Sequence, residues 1–275
     1  MPHVTRMIVK SIATLFLLAA SLVGPAPTRA GSDMVQVSIL PGWRMADGTH
    51  MAALKFTLEN GWKTYWRAPG EAGIPPRFDW NGSRNLNSVS VEWPTPKQTL
   101  TNGMHTIGYE HDLVLPVRLT PAQGGQPILL RAQIEIGVCS DICVPVSKAV
   151  MMDLPSDQTR PDPQIAAALA ARPYSAAEAG VSRVACRITP IDGGLRVLAE
   201  VDMPVMGKNE VVVLETDNPS LWVTQPQSSR KGNHLRAEAD IFHAEGRGFM
   251  LNRAGLRITI LSSGDAVDIR GCSGT

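Results

Sequence analysis

The sequence predicts an all-β protein of two antiparallel β-sandwich domains in series, joined by a linker that carries one short helix. Three observations lead there. Apolar and polar residues alternate over short runs, as in Val35 to Leu40 and Met51 to Leu58, rather than recurring at helical spacing. The 24 glycines and 21 prolines, with well-placed asparagines, break the chain into segments too short for most helices. A single window, Gln164 to Arg172, has helical composition. Short strands between frequent turns favour a sandwich.

Taken in order, Met1 to Ala30 reads as a secretory signal. Arg6 and Lys10 supply the basic end, Ser11 to Val23 the apolar stretch, and Thr28-Arg29-Ala30 a small-residue cleavage site. The apolar stretch is shorter than the roughly 20 residues a membrane span needs, so cleavage is expected over anchoring. Nothing later is apolar for long enough to cross a bilayer, and the mature protein is expected to be soluble outside the cytoplasm. Loss of Arg6, Lys10 and Arg29 brings the formal charge from +1 to −2, which argues against a nucleic-acid or polyanion binder.

The first domain is expected over residues 32–155. Its strands are Val35 to Leu40, Met51 to Leu58, Trp62 to Trp66 after an Asn60-Gly61 turn, Phe78 to Trp80, Val89 to Trp93, Leu113 to Leu119, Ile128 to Ile136 and Val146 to Leu154. Ala68 to Arg77, with Gly70, Gly73, Pro75 and Pro76, reads as a loop. Residues 156–175 hold the linker and the helix, which Pro163 starts and Pro173 stops. A second, smaller sandwich is expected over 176–275. Its strands are Val184 to Ile188, Leu195 to Val201, Glu210 to Glu215, Trp222 to Gln225, His234 to Phe242 and Leu256 to Leu261. No internal repeat is visible.

The four cysteines are Cys139, Cys143, Cys186 and Cys272. An even count in an exported chain suggests disulfides, with three possible pairings. On the chain-entropy model a Cys139–Cys143 bridge would contribute only ~2 kcal/mol and a Cys186–Cys272 bridge ~4.6 kcal/mol. The long bridge is therefore the better structural staple, tying the ends of the second domain. The short one is the better candidate for opening and closing. Residues four apart on a straight strand lie about 13 Å apart, too far for a disulfide. If those sulfurs bond, the chain turns at Ser140-Asp141 and two strand ends meet at a tight loop. Asp141 opposes thiolate formation and no helix N-terminus is near, so the pair suits being attacked while oxidised better than attacking.

Other chemistries are less well supported. A static turn staple is the plain alternative for the pair. Met104, His105 and His111 with the thiols would suit copper or zinc, but no local set of four ligands with metal-site spacing occurs, so no metal and no cofactor are expected. Trp62, Trp66, Trp80 and Trp93 suggest either a sugar-stacking platform or core, and strand aromatics favour core. Met151 and Met152 read as packing. No Ser-His-acid set, phosphate loop or His-Glu-x-x-His element occurs.

Four stretches resemble the N-terminal periplasmic domain of DsbD-type thiol:disulfide interchange reductases, and more closely the related ScsB-type region. They are N-G-W-K-T-Y-W-R-A-P-G-E-A-G-I-P-P from Asn60 to Pro76, V-E-W-P-T-P from Val91 to Pro96, I-G-Y-E-H-D-L-V-L-P-V from Ile107 to Val117, and V-C-S-D-I-C-V-P from Val138 to Pro145. The resemblance implies an immunoglobulin-like domain in the periplasm. That domain would take electrons from a thioredoxin-like donor fed by a membrane thiol reductase and pass them to thioredoxin-fold acceptors. It implies that Cys143 forms the mixed disulfide and Cys139 resolves it. It also implies a cap near Leu100 to Tyr109, with Tyr65, Leu100, Met104, His105 and Tyr109 lining the site. The family's capping aromatic has no counterpart here, so Leu100 or Met104 would cover the sulfurs. The membrane and thioredoxin-like domains are missing from the sequence, so donor and acceptor are expected to be separate polypeptides. A copper-binding protein and an inert interaction module with two structural disulfides are the alternatives.

Overall fold

Residues 34–101 and 104–274 are described by a computed structural model; residues 1–30, expected to be a signal, lie outside the described residues. In chain order the first ten strands are β1 (Val35–Arg44), β2 (His50–Leu58), β3 (Lys63–Gly70), β4 (Arg77–Asp79), β5 (Leu86–Val91), β6 (Lys97–Thr101), β7 (Met104–Glu110), β8 (Leu113–Pro121), β9 (Ile128–Cys139) and β10 (Cys143–Leu154). Helix α1 (Pro163–Ala170) follows. The rest are β11 (Tyr174–Ser175), β12 (Arg183–Ile191), β13 (Gly194–Asp202), β14 (Val211–Glu215), β15 (Leu221–Val223), β16 (Gln227–Lys231), β17 (His234–His243), β18 (Arg257–Ser262), β19 (Asp265–Arg270) and β20 (Ser273–Gly274).

Four sheets result, and no sheet mixes strands from before and after α1. Residues 35–154 form β1-β2-β8-β5 and β10-β9-β3-β7-β6, with β4 also on β9. Residues 174–274 form β11-β19-β18-β14 and β15-β17-β13-β12-β20, with β16 also on β17. Period-two alternation builds the cores. On β9 Ile128, Leu130, Ala132, Ile134 and Ile136 are buried, while Arg131, Gln133 and Glu135 face out. The first core gathers these with Phe56, Trp66, Leu115 and Leu119, and Trp62, Trp80 and Trp93 pack against it. All four of these tryptophans therefore belong to packing, and Phe78 stacks on Trp80 at 5.8 Å. The second core holds Val197, Leu235, Ile241, Ile258, Ile260 and Val267.

The two halves meet through the outer face of the β14-β18-β19 sheet. Val213, Leu261 and Ala266 on that face join the first core. Between them a polar cluster forms around Arg67 of β3. Its guanidinium donates to Glu215 twice at 3.0 Å and to Thr259 at 3.1 Å, with Asp268 at 3.9 Å, and lies 3.7 Å over the Trp66 ring. Arg257 holds Asp268 with two hydrogen bonds of 2.6 and 2.8 Å. Burial alone would raise the Asp268 carboxyl, but the hydrogen bond and charge of Arg257 and the charge of Arg67 hold it below its ordinary value.

Several sequence expectations change. Asp162 caps α1, accepting from the N–H groups of Gln164 and Ile165, so the helix starts at Pro163 and ends at Ala170 rather than Arg172. The segment expected as a cap loop contains the β6–β7 hairpin, with Thr101 opposite Met104. The missed signal is Asn102-Gly103, the strongest two-residue hairpin marker. Met151 is not packing: it is 66% exposed on the outward phase of β10, whereas Met152 packs inward. β16 escaped notice because it is polar throughout, and β19 because Asp268 interrupts one of its faces; the partners of Asp268 come from β18 and from the other half.

Cys186 and Cys272 are bonded, with Cα atoms 5.7 Å apart. The bridge ties β12 of one sheet to the chain just after β19 of the other, and Cys186 is fully buried.

A strap, residues 71–76, crosses the outer face between β3 and β4. Glu71 anchors it to β7: its N–H donates to the His105 carbonyl at 3.0 Å, and its carboxylate accepts from the His105 N–H at 2.9 Å. Ile74 then lies on Gly137 of β9 so closely that a Cβ there would stand 2.6 Å from the Ile74 Cβ. Gly137→Ala is expected to lower the urea midpoint by the equivalent of about 1–3 kcal/mol through overpacking, and Ile74→Ala in the same chain to recover much of the loss. An unchanged midpoint in the single variant would show that the strap does not bear on β9.

His50 is fully buried, and its Nε2 donates to the Pro41 carbonyl at 2.7 Å. Burial first, and then the Arg44 charge, depress its pKa against the opposing pull of the Pro41 hydrogen bond. A group depressed in the fold leaves stability whole above its unfolded value, about 6.5, and loses it as pH falls through the folded value. The urea midpoint should therefore drop between pH 7.5 and 5, and His50→Gln should flatten that slope.

Candidate functional site

β9 and β10 pair in register over their whole lengths, from Leu154 opposite Ile128 to Cys143 opposite Cys139. The three residues between them, Ser140, Asp141 and Ile142, make the turn, with the Ser140 N–H donating to the Ile142 carbonyl at 3.1 Å. Directly opposed residues point to the same face. The two sulfurs therefore meet and are bonded, with Cα atoms 4.2 Å apart. Because Val138 and Ile136 face the core, Cys139 and Cys143 lie on the outer face of the sheet.

The two sulfurs have different surroundings. Cys139 is 1% exposed, whereas Cys143 is exposed, as are Asp141 and Ile142 beside it. Cys139 is flanked on its other side by β3, where Lys63 pairs with it. Two residues along the same face, Tyr65 reaches back. Its hydroxyl donates to Cys139 Sγ at 2.9 Å and stands 3.3 Å from Cys143 Sγ. Neither sulfur of a disulfide carries a proton, so the phenol is the donor. Tyr65 is buried under the strap, where a Cβ on Gly73 would stand 2.8 Å from its ring. That burial raises the phenol pKa, so the hydroxyl keeps its proton throughout the neutral range.

The other residues expected around the site are placed elsewhere. Tyr109 pairs with Thr64 and faces the core, where its hydroxyl donates to the Pro94 carbonyl at 2.8 Å. Its phenol is pushed well above the ordinary value by burial. Lys63 pairs with both Cys139 and Glu110, so Glu110 is the β7 residue level with the disulfide. Met104 and His105 sit at the opposite end of β7, about 20 Å along the strand. His105 instead lines a cleft with Asn209 and Glu210 of the second half. The Leu100 side chain lies outside the described residues; its backbone pairs with His105. The residues that sequence reasoning missed are Pro69, Gly73 and Ile74, which cover Tyr65 and Gly137. Their signal was present as Gly70, Gly73, Pro75 and Pro76, read only as loop punctuation.

The arrangement is suited to one reaction class. A thiolate arriving from solvent can reach Cys143 but not Cys139. If it attacks Cys143, Cys139 departs as a thiolate. A disulfide sulfur accepts hydrogen bonds weakly and a thiolate accepts them strongly, so the Tyr65 bond gains strength as the S–S bond breaks. Among the described residues no group of three or more His, Cys, Asp or Glu side chains is placed to hold a metal.

Residues 36–155 match the family model described as the N-terminal part of the thiol:disulfide interchange protein DsbD. The N-terminal periplasmic domain of ScsB from Proteus mirabilis is similar in fold, with a TM-score of 0.65 and 22% identity, over 90% of this chain and 96% of that one. The reduced DsbD N-terminal domain from Neisseria meningitidis aligns at 18% identity over 46% of this chain and 90% of its own, with a TM-score of 0.27. No curated protein sequence matches the chain. Residues 36–155 thus form a DsbD N-terminal-like domain of the thiol–disulfide exchange kind.

Proposed function

We propose that this protein carries reducing equivalents in the periplasm through Cys139 and Cys143, from a thioredoxin-like donor fed by a membrane thiol reductase to thioredoxin-fold acceptors. The observation that supports this most directly is the contrast between an exposed Cys143 and a buried Cys139 that accepts the Tyr65 hydrogen bond.

The exchange runs in two halves. In the first, a donor thiolate attacks Cys143 Sγ. The Cys139–Cys143 bond breaks, a donor–Cys143 disulfide forms, and the electron pair leaves on Cys139, held by the Tyr65 hydroxyl. The donor's second thiolate then attacks its own sulfur in the mixed disulfide, and Cys143 leaves as a thiolate. The donor ends oxidised and this chain holds two electrons. In the second half Cys143 attacks an acceptor disulfide. Cys139 resolves the mixed disulfide by attacking Cys143, and the acceptor leaves as a dithiol. Cys186–Cys272, with Cys186 buried in the second core and Cys272 half-buried against it, takes no part. The periplasmic setting rests on the family and on the signal read at residues 1–30.

Thiol trapping in graded redox buffers should show Cys139–Cys143 opening reversibly between about −120 and −300 mV while Cys186–Cys272 stays closed. A short bridge that opens only when the chain unfolds would end the proposal. Cys139→Ala should accumulate a mixed disulfide through Cys143 with a thioredoxin-fold protein; accumulation only in Cys143→Ala, through Cys139, would reverse the roles. Tyr65→Phe should slow reduction by dithiothreitol about 10-fold or more, the value of a hydrogen bond to a forming thiolate. An unchanged rate in that variant would remove Tyr65 from the chemistry.

A further inference from the structure

The second half contributes a wall to a cleft beside the strap. The cleft, of about 550 Å³, is lined by Pro69, Gly73 and Pro75 from β3 and the strap, and by Val213, Trp222 and Pro226 from the second half. Trp222 is 60% exposed, although tryptophan is a side chain that folding normally covers. It is not loose: it pairs with Phe242 across β15 and β17, with ring centroids 6.0 Å apart and the rings stacked. The one charged residue lining the cleft is Glu71, and its carboxylate is already engaged by the His105 N–H. The surface offered is thus mainly apolar, with a single charge that is already engaged.

One residue links the cleft to the redox face. Pro75 lines the cleft and also lines a groove of about 380 Å³ with Ile74, Arg77, Glu135, Pro145 and Ser147. Pro145 is two residues from Cys143, about 7 Å along β10. It pairs with Gly137, on which Ile74 lies, and Pro75 follows. Stepping across one strand spacing and one residue puts Pro75 within about 15 Å of Cys143. A protein interface of ordinary size covers about 800 Å² per partner, a disc of about 16 Å radius. A folded protein held by a bond to Cys143 therefore reaches the mouth of the cleft, whereas a small thiol does not.

We infer that this cleft is a docking surface for the edge of the thioredoxin-fold protein that exchanges with Cys143, and that Trp222 packs against an apolar side chain of that partner at the rim of the interface. The inference rests on the exchange reading above and adds a role for the second half: selecting a folded partner over small thiols. The Arg67 cluster holds the two halves together, so the Trp222 wall is set in place before the partner arrives.

The test uses the full chain and compares two reductants, dithiothreitol and reduced thioredoxin, acting on Cys139–Cys143. Trp222→Ala is expected to lower the second-order rate constant with thioredoxin about tenfold or more and to leave the dithiothreitol rate unchanged. Equal rates for wild type and variant with thioredoxin would overturn the cleft and leave the exchange reading intact. An equal fall with both reductants would also overturn it, since Trp222 would then act through the fold. A wild-type bridge that resists both reductants in the folded chain would overturn the exchange reading, and this inference with it. Sedimentation provides the last check: a wild-type dimer that Trp222→Glu dissociates would show that the occupant is a second copy of this chain, contrary to the inference.

Discussion

The antiparallel register of β9 on β10 is the constraint from which the site follows. Twelve residues of each strand are paired, and the last pair is Cys139 with Cys143. Period-two alternation, with Ile134, Ile136 and Val138 fixed in the core, leaves Cys139 no choice of face. A slip of one residue would carry the cysteines inward and expose the isoleucines, which the burial of so many apolar side chains forbids. The disulfide thus adds little to holding this hairpin. It is held in place by the hairpin, and that leaves it free to serve chemistry.

Around that pair the outer face of the sheet is only partly open to solvent. The strap covers Tyr65 and Gly137, and it lies flat because glycine at 73 and 137 leaves no Cβ in the way. Its covering explains why the Tyr65 hydroxyl is held against Cys139 and keeps its proton. The strap ends short of Cys143, which stays exposed. One sulfur therefore faces solvent, and the other is covered.

Between the halves, the Arg67 cluster does what an apolar seam could not. Burial works against the Arg67 charge and lowers its pKa, while Glu215 and Asp268 pull the other way. A buried charge of this kind tolerates few alternative geometries, because any shift leaves it without its carboxylates. Such a cluster gives orientation more than stability. It lies two residues from Tyr65 on β3, so the same strand serves the disulfide and the second half.

Much of the strand framework was legible in the sequence, because alternation and turn residues act locally. Val35 to Leu40, Met51 to Leu58 and Ile128 to Ile136 each read correctly from their own side chains. So did the need for a turn at Ser140-Asp141 if two nearby cysteines were to bond. Legibility failed where a residue's role is set by a distant segment. β19 looked too polar for a strand because Asp268 answers to Arg67, 201 positions earlier in the chain. Tyr109 and Tyr65 look alike in sequence, yet opposite phases of the sheet send one into the core and the other to the sulfurs. The sequence by itself determined the strands and brought the two thiols within reach of each other. Only the tertiary structure decided which sulfur faces solvent, which hydroxyl meets the other, and that a tryptophan of the second half walls the neighbouring cleft. Each of these depends on contacts between segments far apart in the chain, and local patterning carries no record of them.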